Sequence, residues 1–151
     1  MNKNIFFPVI ILILFVVIFL AIIFQKEIKK NYIFLKINNE TLRVEVSDTL
    51  LKRAKGLSGR QNLSEEEGMI FIFKKPGIYP FWMKKMNFAL DIIWIGEDME
   101  VKEISQNVLP QTFPKKIKST QSIKYVLEVN SGWAIAHNIN KGNVVFFQDN
   151  N

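Results

Sequence analysis

A chain of 151 residues, 48% hydrophobic and 23% charged, is too apolar to be disordered and too short for more than one domain of ordinary size. With no cysteine and a single histidine it has no disulfide framework and no zinc-ligand spacing, and nothing in it calls for a cofactor. Its net charge of +6 suits an anionic partner, but no helix-turn-helix, zinc-finger or RNA-recognition pattern accompanies that charge, so nucleic acid is disfavoured.

From Ile5 to Phe24 no residue is charged. Twenty residues at 1.5 Å each would cover about 30 Å, the thickness of a bilayer's hydrocarbon core, so the pattern predicts one transmembrane helix. A cleaved signal peptide has a shorter apolar region, about 15 residues at most, and ends in paired small residues; here only Ala21 is small. The expectation is therefore a single-pass membrane protein with an uncleaved signal anchor. Residues 1–30 form the tail, the span and a basic flank of Lys26, Lys29 and Lys30, and residues 31–151 form one compact domain. Positive-inside counting leans slightly toward a cytoplasmic domain.

Beyond the flank the chain reads as mostly β. Tyr32–Ile37 and Thr41–Val46 are strand-like, and Asn38-Asn39 between them predicts a hairpin. In the second strand Leu42, Val44 and Val46 alternate with Arg43 and Glu45. Asp48 is the expected N-cap of a short helix over Thr49–Leu57, with Gly56 near its end. Further strands are expected at 69–73, 79–84, 91–95, 101–105, 124–129 and 144–147, with turns at Pro76-Gly77 and Gly96-Glu97-Asp98. Residues 108–122 read as a long surface loop, and residues 130–136 as a second short helix. The fold class predicted is α+β: a mostly antiparallel, barrel-like sheet of about eight strands with two short helices behind the transmembrane segment.

The densest stretch is Phe81–Ile95. It holds two of the three tryptophans together with Met83, Lys84, Lys85 and Asp91. Period-two alternation would place Phe81 and Met83 on one side and Trp82 and Lys84 on the other. Asp91 stands at the mouth of the apolar run Ile92–Ile95, where a carboxylate must be capped, paired or exposed. Phe81-Trp82-Met83-Lys84 followed by Leu90-Asp91-Ile92-Ile93 resembles the signature of the DUF192 family, also called UPF0127. Asp48-Thr49 with Arg53, Gly56-Leu57 and Arg60 belong to the same pattern, as do Glu67-Gly68-Met69 and Tyr125–Asn130 with Gly132-Trp133. The resemblance covers residues 42–147. Two positions depart from it, Lys85 standing where the family usually has Asn and Ala89 where it usually has Pro. The resemblance implies a small domain that is commonly exported, and hence one facing the cell envelope on the extracytoplasmic side; it implies no reaction.

Nucleophilic catalysis finds no support, because His137 is the sole histidine and no serine lies in a nucleophile elbow. Acid–base catalysis on an envelope polysaccharide would need two of Asp91, Glu103 and Glu128 near one bond, and a structural domain serving another membrane protein is a third reading. The favoured reading is a binding module rather than an enzyme. Only three of its basic residues are arginine, and two of these, Arg53 and Arg60, fall within the motif; a guanidinium grips carboxylate or phosphate with a fork that lysine lacks. Arg53, Arg60, Trp82, Met83, Lys84 and Asp91 are thus the expected ligand-binding residues. The ligand expected is an anionic glycan, a lipid headgroup or an acidic envelope protein. Trp82 could equally be core, and Arg53 could equally pair internally with Asp91 or Glu128.

Overall fold

In the computed structural model, which describes residues 3–27 and 31–148, the first element is the helix α1 (Lys3–Glu27). The transmembrane assignment is not upheld, because among the described residues no helix is long and apolar enough to cross a membrane. The single-pass, signal-anchored localisation falls with it, and the extracytoplasmic placement, which the family resemblance implied, gains no support from a membrane span among the described residues. Lys29 and Lys30 of the expected basic flank lie outside the described residues.

The domain that follows runs β1 (Tyr32–Ile37), β2 (Glu40–Ser47), α2 (Leu50–Lys55), β3 (Glu67–Gly77), β4 (Leu90–Ile95), β5 (Val101–Val108), a 3-10 turn (Pro110–Thr112), β6 (Ile123–Asn130), α3 (Trp133–Ala136) and β7 (Val145–Gln148). β1 and β2 form the expected hairpin, with Ile37 opposite Glu40 and Asn38 in the left-handed region at φ 53°. Asparagine enters that region more readily than most residues. The cap of α2 is Thr49 rather than Asp48: its Oγ1 accepts the N–H of Lys52 at 3.3 Å.

The seven strands lie in the order β5-β4-β6-β3-β2-β1-β7. A barrel-like closure was expected, but the sheet is open. Closure needs a continuous ladder between the outer strands, and among the described residues β5 and β7 are joined only by an isolated bridge, Glu100 to Val144, just ahead of each. Nor is the pairing antiparallel throughout. β2 and β3 run parallel, because the chain between them crosses over one face through α2. That crossover puts α2 above the sheet.

Both faces are therefore covered. On one, Leu35, Leu42, Val44, Ile70, Ile93, Leu127 and Val129 pack with Trp133 and Ala134 of α3. On the other, Met69, Phe71, Ile92, Trp94 and Val126 are roofed by Leu57, Leu63, Phe81 and Met83. The expected strand at 79–84 forms no ladder; it is a loop held to the 108–122 segment by one reciprocal bridge, Phe81 to Ile117, at 2.8 and 2.9 Å. The alternation survives, with Phe81 and Met83 buried and Trp82 and Lys84 exposed.

Gly68 shows how closely β3 and β6 approach. A Cβ there would lie 2.9 Å from the carbonyl oxygen of Glu128 and 3.2 Å from the Leu127 side chain. Gly68→Ala is expected to cost about 1–3 kcal/mol of unfolding free energy in urea melts, since backbone cannot yield as a side-chain tip can.

Candidate functional site

The site is built on the face that α2 covers. Strand registers align Glu45, Met69, Glu128 and Ile92 across β2, β3, β6 and β4, and put Ser47 opposite Phe71 and Phe71 opposite Val126. Among the apolar side chains of this floor stand three polar ones: Glu45, Ser47 and Glu128. α2 and the 56–60 segment pass above them. Gly56, at φ 49°, ends α2 where any Cβ would meet the Phe71 ring at 3.3 Å, so the helix can descend onto the aromatic floor only with glycine there.

Between α2 and the 79–86 loop lies a cavity of about 200 Å³. Its walls are aromatic. Phe71 and Phe81 meet edge to face at 4.8 Å, and Phe73 stacks on Tyr79 at 3.7 Å with the planes 8° apart. Trp82 lines the same cavity and is 42% exposed. Arg53 closes one side, its Nη1 donating to Ile72 O at 3.0 Å and to Asp48 O, with the guanidinium over the Phe73 ring at 5.2 Å. Lys55 stands at the same rim.

Glu128 also lines this cavity, and it is buried. No hydrogen bond or ion pair reaches its carboxyl among the described residues. Burial pushes its pKa up to about 8, against a smaller opposing pull from the charge of Arg60. At neutral pH it is a neutral acid, able to donate one hydrogen bond and accept others. The cavity thus combines aromatic walls, a protonated carboxyl on its floor and two cations at its edge.

The other expected residues are placed as follows. Met83 is 2% exposed and belongs to the core. Lys84 is exposed on the turn beside the cavity without lining it. Arg53 pairs with neither Asp91 nor Glu128; it holds backbone carbonyls instead. Arg60 forms an ion pair with Glu45 at a neighbouring cavity. Asp91, 1% exposed, accepts three backbone N–H groups, from Asn107 at 2.9 Å and from Gly132 and Ala134 at 3.0 Å each. It follows Leu90 and precedes Ile92, and Ile92 shares a face with Glu128, so Asp91 points to the opposite side of the sheet. The two carboxyls cannot flank one bond. Glu103 is occupied as well, its Oε2 accepting from Ser119 Oγ at 3.1 Å and from the N–H and Oγ1 of Thr120 at 2.9 Å each.

Sequence reasoning missed Phe71, Phe73 and Tyr79 as cavity walls, and Lys55 and Ser47. The alternation of Phe71 and Phe73 signals one shared face of β3, but nothing local says that α2 leaves that face partly uncovered.

The family model for DUF192, described as "Uncharacterized ACR", matches residues 33–147. The chain belongs to the DUF192 family. No curated protein matches it. Among solved structures this DUF192 domain is similar to a Novosphingobium aromaticivorans protein of unknown function, with 32% identity, a TM-score of 0.73 and coverage of 76% of this chain and 84% of that one. It is also similar to a Sinorhizobium meliloti protein described as a candidate transcription regulator, with 24% identity, a TM-score of 0.76 and coverage of 80% and 96%. That second likeness is one of fold alone. Within the family signature, Lys85 sits at φ 55°, a left-handed conformation that asparagine tolerates better than lysine. The Asn usual at this position therefore suits the backbone of the turn.

Proposed function

We propose that this DUF192 domain is a binding module for an anionic molecule with a flat, largely apolar body. The observation that carries this reading is the cavity itself, with aromatic walls, an unpaired buried carboxyl that is neutral at pH 7, and a rim bearing Arg53 and Lys55. An apolar pocket with a few convergent polar groups is the usual form of a small-molecule site. The body of the ligand would lie against Phe71, Phe73 and Trp82 and its negative group would face the cations, while the Glu128 carboxyl donates to an oxygen of the ligand. Of the ligands expected from the sequence, the anionic glycan fits this shape as a sugar acid; an aromatic acid, which the sequence did not suggest, fits it as well. The catalytic alternative has no comparable support, since Glu128 has no second carboxyl in its cavity.

The probe for the test is 1-anilinonaphthalene-8-sulfonate, an anionic aromatic fluorophore, titrated into the native domain. Trp82→Ala should weaken binding about tenfold, because a half-exposed ring at the rim contributes contact area to a ligand. The melting temperature should move by less than about 4 °C, since little of the core is lost. A large fall in melting temperature with unchanged probe affinity would show that the ring is structural and defeat the proposal.

A further inference from the structure

On the same sheet face, a second cavity of about 270 Å³ adjoins the first and shares Lys55, Gly56 and Ser58 with it. We infer that this second cavity is a phosphate subsite formed by Arg60, Lys52 and Lys55 over the hydroxyl of Ser47. The Ser47 hydroxyl is decisive. The residue is 1% exposed and lines the cavity, and its Oγ is the one side-chain polar atom among the described residues that is wholly shut off from solvent and finds no hydrogen-bond partner, whereas the Glu128 carboxyl keeps some exposure. A buried O–H normally keeps a partner because leaving it unpaired is costly, so its position at the base of a cationic cavity points to an acceptor supplied by a ligand.

The donors select the acceptor. Lys52, Lys55 and Arg60 outnumber the carboxylates of Glu45 and Asp48 that pair with them, so the cavity keeps a net positive charge. Three cationic groups and a hydroxyl converging from different sides suit the three terminal oxygens of a phosphate monoester better than the two of a carboxylate. The cations are also accessible to an anion. Arg60 is held by Glu45 through Nη2, so the rest of its fork can donate elsewhere. Lys52 is held by an Asp48 contact of 3.4 Å, and Lys55 has no ion-pair partner among the described residues.

This inference rests on the binding reading above only for the body of the ligand; inorganic phosphate, which has no body, tests the subsite alone. The experiment is a titration of the isotopically labelled full chain with inorganic phosphate, followed by amide chemical shifts, with ionic strength held constant by chloride. Saturable shifts at Ser47, Lys55 and Ser58 are expected, with a dissociation constant of about 1 mM, and acetate should bind about tenfold more weakly. Lys55→Met and Ser47→Ala should each weaken phosphate about fivefold; both chains should stay folded, since one change is at an exposed residue and the other removes an unpaired hydroxyl. No saturation, equal affinity for acetate, or unchanged phosphate affinity in both variants would overturn the subsite. Loss of the fluorophore with phosphate still bound would defeat the apolar-cavity reading alone.

Discussion

Replacing Glu128 by Gln is expected to stabilise the domain in alkaline solution and to leave it nearly unchanged in acid. The carboxyl titrates near pH 8 in the folded domain because it is buried, against an ordinary value of 4.5 when the chain is unfolded. Its folded pKa is raised, so between those values the folded state holds a proton that the unfolded state has released. Stability is therefore complete below about pH 4.5 and falls as pH rises toward 8, where the folded state at last ionises. The loss across that window is on the order of 3–5 kcal/mol. Urea unfolding at pH 5, 7 and 9 should show the decline in the native chain and a flat response in Glu128→Gln over that interval. Parallel curves for the two chains would mean that the carboxyl is solvated or paired. Arg60 acts on Glu128 through its charge, and Arg53 and Lys55 line the same cavity. Glu103 lies outside this pH interval: burial raises its pKa, but hydrogen bonds from Thr120 and Ser119 outweigh that and hold the group below its usual value. Ionising Glu128 also sets a negative charge beneath a bound anion, so fluorophore affinity should fall as pH passes 8 in the native chain and persist in the Gln variant.

Asp91→Ala should destabilise the domain by about 3–5 kcal/mol, among the largest effects of any single substitution here. Its carboxylate accepts three N–H groups from two separate pieces of backbone: the end of β5 at Asn107 and the entry to α3 at Gly132 and Ala134. Removing it takes the acceptor from three N–H groups, two of them part-buried and that of Ala134 fully buried, where no solvent can replace it. Asp91→Asn should recover only part of the loss, since its NH2 group would face a donor at one of the two oxygen positions. Hydrogen exchange at those three amides should accelerate in both variants. The folded fraction should still bind the fluorophore with native affinity, because Asp91 lies across the sheet from the cavity; a loss of binding without a loss of stability would assign it to the site instead.

Much of the secondary structure was legible, for a local reason. Asn38-Asn39 makes its turn from its own backbone preference, and Leu42, Val44 and Val46 show their buried face by alternation alone. The Phe81–Lys84 stretch displayed the right alternation and suggested the wrong element. Buried and exposed residues alternate there as in a strand, but only Phe81 bridges a neighbour, so the pattern reports which side chains are covered and not how the backbone is paired. The expected barrel failed for a related reason. Strand propensity says that segments pair, and only tertiary packing determines whether the two outer strands meet along their length. The transmembrane reading came from an uncharged run, whereas among the described residues no helix meets the length and apolarity that crossing requires.

Of the candidate site, the sequence by itself established the family pattern, the alternation that leaves Trp82 and Lys84 exposed, and the scarcity of arginine that singled out Arg53 and Arg60. Only the tertiary structure decided that Asp91 is a structural brace on one face while Glu128 is an unpaired acid on the other. Both are carboxylates near apolar strand residues, and nothing local distinguishes them. What separates them is the register that aligns Glu45, Met69 and Glu128, and the parallel crossover that lays α2 above that row. A carboxyl's chemistry depends on what surrounds it, and those surroundings come from segments far apart in the chain.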